Sequence, residues 1–233
     1  MSTTFDFEDG HGPVPAHQHI NPDGSVGGWV AETAWVDATV HVGAKARVFG
    51  AAMVTGDSKM VGYARVYDEA KVCLEALVGG DAHVRDRAII TGQAKVIENA
   101  VVCGDAFICG HATVRHFTKI SGEACVSNQS SICGHAQVYG GAMISGKAYI
   151  SDNARVLGRA FVSGDAYVCS RARLLEGVWM AGTIQIRQET EISISHLAED
   201  IDFLPGVDSH LGLLQQARLA MLSVGANGWG VRG

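Results

Sequence analysis

Positive charge is in short supply: 18 Lys and Arg stand against 24 Asp and Glu, a formal net charge of −6 at pH 7. A chain of that sign has no global attraction for nucleic acid or for an anionic membrane surface, so neither is expected as a partner. Long apolar runs are missing as well. No stretch approaches the roughly 20 consecutive apolar residues of a membrane-spanning helix. The segment from Met1 to Gly12 is acidic and lacks the apolar core of a secretory leader, so a cytoplasmic protein is the expectation. Departures from the dominant pattern are also absent, since no loop interrupts it between residues 30 and 192.

That pattern is a period of six. From Val30 to Ile192 every sixth residue is Val, Ile, Leu or Met, 28 positions without a break. Of the 27 positions two residues earlier, from Ala34 onward, 20 are Ala; the exceptions are Val40, Ser58, Thr118, Ser130, Val178, Ile184 and Thr190. Two residues after the aliphatic the commonest residue is Gly, as at Gly50, Gly92 and Gly104. Residues two apart point to one side of a strand, so Ala and the aliphatic share an interior face, and the Gly-rich remainder suits a tight corner. A single hexad cannot bury its own apolar face, so hexads must wind into coils that stack.

Three hexads make a triangular turn of 18 residues, and about nine such coils stacked ~4.8 Å apart give a rod on the order of 45 Å long. The expected fold is therefore all-β, a parallel β-helix. It divides into a turn-rich cap over residues 1–28, the helix over 29–194, and a terminal piece over 195–233. The turn signal Asn21-Pro22-Asp23-Gly24 marks the cap, which is expected to lie over Trp29 and Trp35, with His11, His17 and His19 in a solvated loop. After Leu204-Pro205-Gly206, an α-helix capped by Asp208 or Ser209 is expected to run to about Val224.

The hexad resembles that of the hexapeptide-repeat superfamily, and the opening Gly27-Gly28-Trp29-Val30 resembles that of bacterial and phage members. The resemblance implies left-handed coiling and a homotrimer. It also brings an alternative function, because the superfamily includes acyltransferases that hold acyl-CoA between subunits and use a histidine as general base.

Residues 18 apart stack in columns, so the outward positions sort by face. One face carries Trp35, Met53, Lys71, Ile89, Phe107, Cys125, Met143, Phe161 and Trp179, an apolar stripe that monomers rarely leave in water. Its members Trp35, Met53, Ile89, Phe107, Met143, Phe161 and Trp179 are the expected self-association surface. A second face carries Arg47, Arg65, His83, Lys119, Arg155 and Arg173, with Arg85 and several aromatics beside them. This row either holds an anionic, nucleotide-like ligand or forms a solvated edge screening carboxylates such as Asp68, Asp86 and Asp105. The third face, with Lys59, Lys95, Thr113, Ser131, Tyr149 and Tyr167, is mixed.

Catalytic chemistry is thinly represented. Gly141 to Lys147 mimics a phosphate loop, but Ala148 stands where a magnesium-binding hydroxyl belongs. His111 and His116 have a five-residue spacing that resembles γ-class carbonic anhydrases, yet no third histidine lies near residues 90–103; Cys103 is the nearest substitute. No metal site and no cofactor are expected. The six cysteines are expected as free thiols, since Cys73 and Cys109, like Cys133 and Cys169, lie two coils apart, beyond disulfide reach, while Cys109 and Cys125 on adjacent coils are offset along the strand. His83, His111, His116 and His135 remain the candidates for a general base. The residues thus point to a non-catalytic, self-associating β-helix that binds a small anionic ligand or a protein partner, with acyl transfer as the alternative.

Overall fold

The structure, a computed structural model, describes residues 3–193; the expected helix over 208–224 and its flanks lie outside them. Within that span the chain is a parallel β-solenoid. Twenty-eight short strands run from Val26–Ala31 to Glu191–Ile192, each but the last three paired in parallel with the strand 18 residues on, as in Arg47↔Arg65, Met53↔Lys71 and Thr113↔Ser131. Three sheets result. The basic sheet carries Arg47 and Arg65, the apolar sheet Trp35 to Trp179, and the third sheet Lys59 and Tyr149. Among the described residues no helix is long and apolar enough to cross a membrane.

The interior is built as the hexad requires. Ala52, Ala106 and Ala136 are fully buried beside Val54, Ile108 and Val138, and the same column continues through the rod. Three exceptions to the Ala rule follow one chemistry: the buried hydroxyls of Ser58, Thr118 and Ser130 each donate to the carbonyl three residues back, on Thr55, Arg115 and Ser127, at 2.6–2.7 Å. A hydroxyl is scarcely larger than a methyl, and its donor is satisfied inside the turn.

Corners explain the rest of the repeat. From Gly50 to Ser170 every sixth residue has a positive φ, a region that costs a side chain about 1 kcal/mol or more. At Gly104 a Cβ would stand 2.8 Å from the backbone nitrogen of Gly122 in the next coil, so glycine is also a spacing requirement there. Five of the eight corners that carry a side chain compensate. Asp68, Asp86, Glu98, His116 and Asp152 each accept the backbone N–H of the residue 18 later, at 2.7–3.2 Å, which rivets consecutive coils together.

The N-terminal segment caps the rod unevenly. Strands β1 (Thr4–Phe5) and β2 (Val14–Ile20) add antiparallel to β3 (Val26–Ala31), so they extend the basic sheet alone. Asn21 closes the β2–β3 turn by accepting from Gly24 at 2.8 Å, as the turn signal predicts. Phe5 stacks on Trp29 and Phe7 on Phe49, which covers Trp29. Trp35 was expected beneath the cap too, but it belongs to the apolar sheet and stays 62% exposed. The histidines also differ from expectation. His17 and His19 lie in β2, and a bulge at Gln18–Ile20 turns His19 inward, 6% exposed. There its Nε2 lies 2.9 Å from the Val40 carbonyl, while Asn21 Oδ1 accepts from Val42 N–H at 2.8 Å. Two side chains thereby stand in for the missing strand at the open edge of the third sheet.

Candidate functional site

The basic sheet does align its column, Trp29, Arg47, Arg65, His83, Val101, Lys119, Gln137, Arg155 and Arg173 in succession. Much of its charge is already matched. Arg47 and Arg65 converge on the Glu8 carboxylate at 3.0 and 3.5 Å, Arg85 meets Asp86 at 3.1 Å, and Arg173 meets Glu191 at 2.7 Å. The hydrogen bond and charge of Arg47, with Arg65 behind it, hold the Glu8 carboxyl below the ordinary carboxylate range. Lys119 and Arg155 have no carboxylate partner among the described residues. The pairing with Glu8 could not be read from the columns, because Glu8 arrives from the cap, whereas Arg173 and Glu191 are column neighbours and Asp86 adjoins Arg85.

The four candidate histidines occupy separate places. His83 is half-buried, its Nδ1 3.5 Å from the Tyr67 hydroxyl; burial, then Arg65, pushes its pKa down. His111 is an exposed corner residue. His116, at φ 62°, accepts the Gly134 N–H on Nδ1 at 3.1 Å and faces Glu98 through Nε2 at 3.4 Å. That imidazole–carboxylate pair was not anticipated, and it is spent on linking coils. His135 stacks on Phe117 with ring centroids 5.0 Å apart. Among the described residues no group of three or more His, Cys, Asp or Glu side chains is gathered to hold a metal ion.

The apolar sheet keeps its stripe in the open. Trp35, Met53, Phe107, Met143 and Trp179 are exposed, with Ile89, Cys125 and Phe161 half-buried between them. Trp179 packs edge-on to Phe161 at 5.2 Å, and the Trp35 indole donates to Asp37 at 2.8 Å, so the end aromatics are held in fixed positions. All six cysteines are free; burial raises the thiol pKa of Cys109 and Cys125, which lie on this face.

The third sheet holds a cluster that its mixed composition concealed. Tyr149 and Tyr167 stack nearly parallel, centroids 5.0 Å apart, and Arg187 lies over the Tyr167 ring at 5.5 Å. Both tyrosines lean across the strand toward the neighbouring column. The Cys133 thiol donates to the Tyr149 hydroxyl at 3.0 Å, and Cys133, Ser151 and Cys169 are buried. The Cys133 contact and then burial raise the Tyr149 pKa, and the nearby Arg115 guanidinium opposes them. Sorting residues by 18 already stacks Tyr149 on Tyr167. It does not give the sideways lean that unites the two columns.

No protein-family model matches the chain, and no curated protein matches it.

Proposed function

We propose that the protein is a β-solenoid of the hexapeptide-repeat class, left-handed as that resemblance implies. In this reading it associates with copies of itself through the apolar sheet and works by presenting rigid surfaces to a partner. The observation that carries the reading is the open stripe from Trp35 to Trp179, five of whose large side chains are exposed. Nine strands span eight coil spacings, roughly 38 Å, and a face about 15 Å wide then offers on the order of 570 Å² per partner. Two such faces bury about 1,100 Å², enough for a specific interface.

A second copy is the occupant that fits, because it has the same length and the same stripe. The helix expected over 208–224 would be about 24 Å long and could cover only part of the face. Closed symmetry lets every subunit bury this sheet against a neighbour, and a trimer is the form the resemblance suggests. No general base is assigned, since the four histidines do not converge.

Light scattering of the purified protein tests the reading. It expects an oligomer of the unmodified chain and monomers, or insoluble protein, when Phe107→Asp and Phe161→Asp are combined. A monodisperse monomer of the unmodified chain would overturn it. Deleting residues 209–233 is expected to leave the oligomer intact.

A further inference from the structure

Six of the ten arginines among residues 3–193 have a carboxylate within 4 Å, namely Arg47, Arg65, Arg85, Arg87, Arg171 and Arg173. Two of the remaining four, Arg115 and Arg187, flank the stacked tyrosines of the third sheet. Arg115 also carries the one buried side-chain nitrogen or oxygen without a hydrogen-bond partner among the described residues, its Nε. Leaving such a donor unmet costs free energy, so the guanidinium is pressed onto the sheet for a reason other than its own satisfaction. The guanidinium stands near enough to the Tyr149 hydroxyl to lower its pKa against the Cys133 contact and burial. The order along the rod is guanidinium, phenol, phenol, guanidinium.

We infer that the row Arg115, Tyr149, Tyr167 and Arg187 is a binding site for an elongated dianion lying along the rod, with its acidic groups three to four coil spacings apart, roughly 14–19 Å, since the two arginines stand four coils apart and lean toward the tyrosines between them. Each guanidinium takes one acidic group, as its fork of donors allows, and the tyrosine edges accept the apolar middle of the ligand. The spacing is enforced by the fold, because the rings are stacked at the coil repeat and the thiols beneath them are buried. Cys133 and Cys169 act as floor, not as nucleophiles; burial raises the Cys169 thiol pKa. The Asp152 carboxylate faces Cys169 and opposes an anion there, although it is engaged by the Ser170 N–H at 2.9 Å.

Isothermal titration with α,ω-dicarboxylates from succinate to dodecanedioate, and with laurate as the monoanion of matched length, tests the site. Dodecanedioate should bind at least tenfold tighter than either succinate or laurate, and Arg115→Gln or Arg187→Gln should each weaken it about tenfold, the loss of one charge-assisted contact. Asp152→Asn should tighten binding. Equal binding of the three probes, no binding, or full affinity in both arginine variants would overturn the inference. Melting temperatures of the variants establish that they fold. Light scattering on the same samples separates this outcome from the self-association reading, which concerns a different sheet.

Discussion

Position 106 gives the sharpest test of why Ala dominates the repeat. Ala106 is fully buried, its carbonyl accepts from Ile89 N–H at 2.9 Å, and Phe107 N–H donates to Ala124 O at 2.9 Å, so the backbone is clamped from both sides. The residues above and below, Ala124 and Ala88, stand one coil away and are equally buried. Leucine adds three carbons to a column with a ~4.8 Å repeat, and coils cannot separate without breaking that ladder. Overpacking of this kind costs typically 1–3 kcal/mol, and the clamped backbone puts Ala106→Leu at about 3 kcal/mol. Serine should behave differently. Its hydroxyl can donate to the Cys103 carbonyl three residues back, as Ser58, Thr118 and Ser130 do in their own hexads. Ala106→Ser should therefore cost under about 0.5 kcal/mol. Guanidinium denaturation of both variants reads the difference as a shift in midpoint at constant slope. Refutation would come from Ala106→Leu retaining the unmodified midpoint, or from serine proving as costly as leucine.

Two further outcomes follow from the corners and from His83. Asp86→Ala removes the carboxylate that accepts Gly104 N–H at 2.7 Å while keeping a Cβ at φ 60°, so it should lose about 1–2 kcal/mol; Asp86→Gly, which relieves the φ, should recover about 1 kcal/mol of it, both by denaturation midpoint. For His83, burial lowers the folded pKa below the ordinary 6.5, so the unfolded chain takes up its proton first as pH falls. The stability that neutral His83 contributes is thus fully present above pH 6.5 and is lost as pH falls through the ordinary value toward the lowered one. NMR titration should find its midpoint below 6.5, and His83→Gln should flatten stability over that window; a midpoint above 6.5 would contradict the burial argument.

The sequence by itself determined the solenoid, because a period held over 28 hexads leaves one way to bury Ala and the aliphatic together, and the 18-residue register then fixes every column. The stripe from Trp35 to Trp179 and the basic row were legible for that reason. Tertiary structure decided what lies beyond the period. Glu8 reaches Arg47 and Arg65 from a segment that has no repeat, and a bulge turns His19 into an edge cap. Tyr149 and Tyr167 lean sideways because the small residues beside them, Cys133, Ser151 and Cys169, leave room. Periodicity specifies which positions stack, since stacking is a property of the backbone. Which side chains then meet across a strand depends on the volume and polarity of neighbours far apart in the chain, and that is settled only when the coils are in place.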